Sequence, residues 1–226
     1  DPSLFSGKSG MILALAYYYK YENSSHTKKL KEQIYSGVES ILDDLENLHL
    51  DSSLSNGLAG IAYTLKICKD LDILKEIDEE WYTPIDTIIC NSLENLLNIK
   101  EYDLLRGASG LIVYLQTNEK YKLYIERYID SLFENAIWES KDTCYWIFYS
   151  YNEQRKQLEY NSEIINLGLA HGLPCIISIL SDLYKKGYKK DKCKILINGA
   201  INYLKNVRQK DNLSQFTNIF KKNEIE

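Results

Sequence analysis

Ser6-Gly7-Lys8-Ser9-Gly10-Met11, Asn56-Gly57-Leu58-Ala59-Gly60-Ile61 and Arg106-Gly107-Ala108-Ser109-Gly110-Leu111 share one form, x-G-x-x-G followed by an apolar residue. Their second glycines stand at 10, 60 and 110, a spacing of 50 residues taken twice. A fourth copy, Gly168-Leu169-Ala170-His171-Gly172-Leu173, has its first glycine one place further upstream and a histidine directly before the second, 62 residues beyond Gly110. Self-similarity at a fixed long period marks an architecture in which each repeat is one supersecondary unit.

Each glycine pair opens a run that is apolar nearly all round: Met11 to Tyr19, Ile61 to Ile67, Leu111 to Leu115 and Leu173 to Tyr184. A helix without a polar face has to be buried on more than one side. Pro174 fits the start of the last one, where its missing N–H is no loss. After each run comes a helical pattern with a single apolar stripe. Leu30, Ile34, Val38, Ile41, Leu45 and Leu48 step by threes and fours, and Ile85, Ile89, Leu93 and Leu96 do likewise, with Thr83-Pro84 as cap and first turn. Ile125, Tyr128, Leu132 and Ala136 form the third stripe, and Cys193, Leu196, Ala200 and Leu204 the fourth.

The unit is therefore a buried inner helix followed by an amphipathic outer helix. The fold class is all-α, and residues 1–226 read as a single domain of about four helical hairpins. Such hairpins stack into a curved, layered array or close into an α/α toroid. The glycines permit tight or positive-φ backbone before each inner helix, which brings the four turns to one end of the array. In a ring those turns converge on a cavity, where helix N-termini offer N–H donors to negative charge. One stretch breaks the pattern. Trp138 to Asn166 carries Tyr145-Trp146-Ile147-Phe148-Tyr149, then a polar Asn152-Glu153-Gln154-Arg155-Lys156, then Leu158 and Tyr160. This predicts a short β-hairpin near 143–160, inserted before the fourth inner helix, with aromatics that wall a peptide site or cover the end of the array as ordinary packing.

Composition narrows the function classes. The chain has 226 residues, 45% of them apolar, enough for a substantial core. Its 27 basic and 32 acidic residues give a net charge of −5 with no basic stripe, which argues against nucleic acid as a partner. No apolar run approaches a membrane span, and the first residues have neither the basic start nor the cleavage site of a signal peptide, so the expected location is cytoplasmic. Cys68, Cys90, Cys144, Cys175 and Cys193 are widely spaced, without a CxxC pair, and disulfides are not expected.

The repeats, together with Tyr102-Asp103-Leu104-Leu105-Arg106-Gly107 and Gly168-Leu169-Ala170-His171-Gly172, resemble the N-terminal half of the LanC-type lanthionine cyclases and LanC-like proteins, from about Leu4 to about Leu204. The resemblance implies an α/α-barrel of two helical layers whose inner-helix turns surround a zinc ion. It implies a lanthionine synthetase: zinc binds a cysteine thiol of a dehydrated precursor peptide and activates it for Michael-type addition to dehydroalanine or dehydrobutyrine. The product is a thioether ring of a lantibiotic-type peptide. A dehydratase and transporter complex at the membrane is the implied setting. Carried over by motif, the acidic active-site residue falls on Asp103 and the catalytic histidine on His171.

Those residue types suit the chemistry independently. Sulfur addition gives an enolate that must be protonated while the thiol proton is lost, and imidazole does either near neutrality. A carboxylate orients an imidazole or stabilises its charged form. Set against this, His171 alone reads as a capping or packing residue, and Asp103, four residues before Gly107, reads equally as a turn cap. His26 and His49 lie in polar, turn-like contexts and read as surface residues.

The family's zinc ligands lie in W-C-x-G and C-H-G segments. No Trp-Cys or Cys-His dipeptide occurs before Glu226, and Cys144-Tyr145-Trp146 has the letters in the wrong order. A pair at His171 and Cys175, spaced i, i+4, would put only two ligands on one helix face, short of a zinc site. The expectation is that these residues are the N-terminal portion of a longer cyclase, ending in an irregular polar tail from Val207. Alone, the arc is expected to self-associate through its open side and to lack activity. A peptide-binding helical scaffold without chemistry remains an alternative, as does an α/α-toroid glycoside hydrolase, which would need a second carboxylate opposed to Asp103.

Overall fold

The structure is a computed structural model that describes residues 1–22, 27–45, 48–74, 79–148, 150–152, 157–159, 164–210 and 213–221. His26 and the polar segment 153–156 lie outside the described residues. The chain divides into two compact units, Asp1–Leu93 and Glu94–Glu226, with the boundary inside a helix.

The first unit holds α1 (Lys8–Tyr21), α2 (Thr27–Leu45), α3 (Leu58–Asp70) and most of α4 (Glu79–Asn98). Helix α1 packs on both α2 and α3. The stripe of α2 buries Leu30, Ile34, Val38 and Ile41 as its periodicity predicts, but the helix stops at Leu45 and Leu48 is exposed beyond it. Helix α3 is buried nearly all round, at Ala59, Ile61, Ala62, Thr64, Leu65 and Cys68. Helix α1 departs from that expectation: Met11 and Tyr21 are 65% and 74% exposed, and only Ser9, Ile12 and Ala16 are buried. Helix α4 begins five residues before Pro84, so Thr83-Pro84 is not its start. Proline is accommodated there, early in the helix, by giving up a single N–H donor.

The second unit holds α5 (Ala108–Leu115), α6 (Lys122–Asn135), α7 (Leu173–Lys185) and α8 (Lys190–Asn206), with α5 packed on α6 and α7, and α8 on α6 and α7. Between α6 and α7 lie two antiparallel hairpins, β1 (Ile137–Ser140) with β2 (Thr143–Tyr145), and β3 (Ser150–Asn152) with β4 (Gln157–Glu159). The second is the predicted hairpin; the first was not anticipated. Strand β2 lies against α8, where Gly199 leaves room for the Cys144 thiol. Trp146, Ile147 and Phe148 are buried, and the Trp146 indole donates to the Leu132 carbonyl at 2.9 Å, so this aromatic cluster is packing. The tail beyond Val207 is not wholly irregular, because β6 (Ile219–Lys221) pairs antiparallel with β5 (Ile164–Asn166).

The glycine turns follow one plan. In the first three, the backbone carbonyl of the residue six places before the first glycine accepts the first helical N–H: Lys8 to Asp1, Leu58 to Asp51 and Ala108 to Glu101, each at 2.9 Å. The glycine sits against that carbonyl. A Cβ at Gly7, Gly57 or Gly107 would stand 2.3, 2.3 or 2.9 Å from it, and one at Gly172 would stand 2.2 Å from the Asn166 carbonyl. All four glycines have negative φ, from −105° to −148°, so close approach rather than positive φ demands them. The first helical N–H groups of α1, α3 and α5 are thereby spent inside the turn, not offered to a cavity.

This geometry corrects the register of the fourth repeat. Gly172 is the residue before α7, just as Gly7, Gly57 and Gly107 precede α1, α3 and α5. It matches the first glycine of the other copies, and Cys175 matches Gly110: both donate their N–H to the carbonyl three residues back, at 3.1 Å. The repeat is therefore spaced 50, 50 and 65 by its first glycine. Gly168 belongs to the turn, two residues after Asn166, which is why it stood out of step in the sequence. Neighbouring turns are also joined alike within each unit: Leu4 N–H donates to the Ser55 carbonyl at 3.1 Å, and Leu104 N–H to the Ala170 carbonyl at 3.3 Å.

Gly57→Ala should lower stability by about 2 kcal/mol, because the added carbon meets backbone and a capping carboxylate that cannot retreat independently. Chemical denaturation of the two proteins measures this. Equal midpoints would show that the turn relaxes freely.

Candidate active site

The plan of the turns explains where polar side chains go. The first residue of each accepts, through a side-chain oxygen, the N–H two residues on: Asp1 from Ser3 at 2.9 Å, Asp51 from Ser53 at 2.8 Å, Glu101 from Asp103 at 3.1 Å and Asn166 from Gly168 at 2.8 Å. The third residue caps in turn. Ser53 Oγ accepts the Asn56 N–H at 3.3 Å, and Asp103 Oδ1 accepts Leu105 and Arg106 N–H at 2.7 and 2.9 Å. Asp103 thus performs the task of a turn serine with one oxygen and has a second to spare.

That second oxygen meets His171. Nδ1 of His171 lies 2.5 Å from Asp103 Oδ2, across 68 positions of sequence. The contact follows from the Leu104-to-Ala170 bond, which places the third and fourth turns side by side. Asp103 is buried while the His171 side chain is 54% exposed. With Nδ1 committed to the carboxylate, Nε2 has no partner among the described residues. In the neutral ring this fixes the tautomer that carries its proton on Nδ1 and its lone pair on Nε2. The turn-cap and catalytic readings of Asp103 are compatible: different oxygens serve each.

Behind the pair lies a buried polar layer. Ser109 Oγ is 2.7 Å from the Tyr128 hydroxyl, the Tyr128 and Tyr102 rings meet edge to face, and the Tyr102 hydroxyl is 2.7 Å from Ser131 Oγ. Cys175, 1% exposed, faces Ser109 and Asp103 from α7, and burial pushes its thiol up to about 12. Glu101 is 4% exposed. Burial pushes its carboxyl up to about 7; the Asp103 N–H and His171 oppose the rise and the Asp103 carboxylate adds to it.

Sequence spacing missed Glu101. Its signal was an acid or amide six residues before each first glycine, at Asp1, Asp51, Glu101 and Asn166, hidden by aligning the fourth copy on the wrong glycine. His49 is exposed, as its context predicts.

A metal fits these residues poorly. No group of three His, Cys, Asp or Glu side chains is arranged to hold an ion among the described residues. His171 stands in the turn before α7, not on the helix, so it and Cys175 do not share a helix face. Cys68, Cys90, Cys144 and Cys193 are likewise buried and form no disulfide.

The chain belongs to the lanthionine synthetase C-like family, whose description it matches over residues 1–225. It is similar to the nisin biosynthesis protein NisC of Lactococcus lactis subsp. lactis, at 29% identity over 203 residues, covering 84% of this chain and 47% of that protein. Among solved structures it is similar to a nisin cyclase, with a TM-score of 0.69 and 24% identity, over 97% of this chain and 56% of that one. This likeness shows the fold, an α/α toroid of helical hairpins. The chain spans about half the length of these relatives. No helix among the described residues is long and apolar enough to cross a membrane.

Two outcomes follow from the site geometry. Asp103→Ala should cost about 1–2 kcal/mol of stability through the two uncapped N–H groups, and Asp103→Ser, which places there the serine of the first two turns, should recover part of it while still releasing His171. Thermal unfolding compares the three proteins. Separately, elemental analysis of the purified 226-residue chain should find less than about 0.1 zinc per chain, since a retained zinc needs at least three protein ligands.

Proposed function

We propose that this chain forms part of a lanthionine cyclase, adding a cysteine thiol of a dehydrated peptide across the double bond of dehydroalanine or dehydrobutyrine. The observation that carries the reading is the His171–Asp103 pair, held between two repeat turns with one imidazole nitrogen left open. Family membership and similarity to NisC support it.

The addition breaks the thiol S–H bond, forms a C–S bond at the β-carbon and leaves an enolate, which takes a proton at the α-carbon; nothing is expelled. His171 is the proton-transfer residue. Its Nε2 accepts a proton as the neutral ring or gives one up as imidazolium. Asp103 orients the ring through Nδ1 and stabilises the imidazolium. The family's chemistry uses zinc to hold the thiol as a thiolate. The described residues supply no such site, so the work assigned to this chain is proton transfer and presentation of the peptide. The peptide is the proposed partner, met in the cytoplasm beside the enzymes that dehydrate and export it.

In the full-length polypeptide containing these residues, His171→Asn should slow ring formation by about 10²–10⁴-fold, the usual contribution of a positioned acid–base group. Mass spectrometry of a dehydrated peptide after thiol alkylation counts closed rings. A His171→Asn rate within about twofold of wild type would remove the assignment. Peptide binding without loss of free thiols in the wild type would favour a non-catalytic scaffold instead.

A further inference from the structure

The side chain that opens each turn shows a pattern with burial. Asp1 and Asp51 perform the capping at exposed positions, where an ionised carboxylate is solvated. In the two turns that build the site the capping groups differ. The fourth uses Asn166, an uncharged amide, and the third uses Glu101, a buried acid two residues from a second carboxylate. Only one oxygen of Glu101 is used: Oε1 accepts the Asp103 N–H, whereas Oε2 is fully buried and has no hydrogen-bond partner. A buried carboxylate with a bare oxygen beside another carboxylate is among the least favourable arrangements of charge; a carboxylic acid with its proton on that oxygen is far less so.

We infer that Glu101 is a positioning residue of the Asp103–His171 pair, a carboxyl that holds its proton on Oε2 and clamps the Asp103 backbone through Oε1. It rests on the reading of that pair as the proton-transfer site. The titratable groups around Glu101 are Asp103 on its own turn and His171 from the neighbouring one, with Cys175 of α7 facing Asp103. Holding Glu101 neutral gives the site one negative charge, on the group that orients the imidazole. Losing the proton adds a second negative charge near the ring.

The linkage has a definite sign. The folded carboxyl holds its proton up to about 7, above its ordinary value of 4.5. The stability tied to this group is fully present below 4.5 and is lost as pH rises through 7. Glu101→Gln keeps an oxygen for the Asp103 N–H and removes the titration, so wild type should lose ground to it between pH 5 and 8.

Carbon-13 NMR of the chain labelled at glutamate carboxyls reads the proton directly, and imidazole resonances read His171 in the same samples. The Glu101 signal, identified by its absence in Glu101→Gln, should titrate near neutrality, and the His171 ring resonances should show a step at the Glu101 midpoint that Glu101→Gln abolishes. A second variant, His171→Gln, should raise the Glu101 midpoint by removing a cation, and it supplies the test if Glu101→Gln does not fold. Titration of Glu101 in the ordinary carboxylate range overturns the inference, as do His171 resonances that follow pH identically in wild type and Glu101→Gln. Neither readout requires turnover, so failure of the cyclase assignment is seen separately, in the ring-closure assay.

Discussion

Each turn is organised by the contact between a glycine and the carbonyl six residues before it. In α1, α3 and α5 that carbonyl also receives the first N–H of the helix, and any side chain on the glycine would fall inside the contact distance. A seven-residue loop is thus closed on the helix it introduces, and in α1, α3 and α5 the first helical donor is satisfied inside it. The helix leaves in a fixed direction, and each turn presents the same positions to the turn beside it. Leu4 and Leu104, which donate to Ser55 and Ala170, occupy the same place in their repeats.

The site is a variation on that frame. At the third turn position the first two repeats have Ser3 and Ser53, and the third has Asp103. The Ser53 hydroxyl is consumed by local capping, accepting the Asn56 N–H. A carboxylate caps equally well and has an oxygen left over, which reaches His171 on the adjoining turn. The pair arises with no new element of structure, on the same turn scaffold that every repeat uses.

Much of the remaining polar chemistry is structural. The five thiols are buried, and burial is the main cause that pushes Cys68, Cys144 and Cys175 up to about 12, far from the thiolate state that reacts or binds metal. Cys175 fills a position where three other repeats carry glycine, so the α7 turn admits a side chain where α1 and α3 bring the Leu4 or Leu54 carbonyl too close. Buried tyrosines serve both as apolar mass and as hydroxyl partners, as Tyr128 does for Ser109.

The sequence by itself determined the all-helical repeat, the alternation of buried and one-sided helices, the inserted hairpin and the candidacy of Asp103 and His171. Those are local properties: periodicity, glycine spacing and residue chemistry act over a turn or two of chain. It did not determine the register of the fourth repeat, because Gly168 and Gly172, four apart where the other pairs are three apart, still read as a glycine pair, and only backbone geometry shows that Gly172 and Cys175 hold the places of Gly107 and Gly110. Nor did it foretell the exposure of α1 or the pairing of β6 with β5, since both depend on what lies opposite. The tertiary structure alone decided that Asp103, a turn cap by sequence, and Glu101, which the spacing did not single out, stand buried together beside one imidazole. That juxtaposition, a matter of two turns meeting across 68 residues, sets their chemistry, because the free energy of a charge depends on its surroundings far more than on its neighbours in the chain.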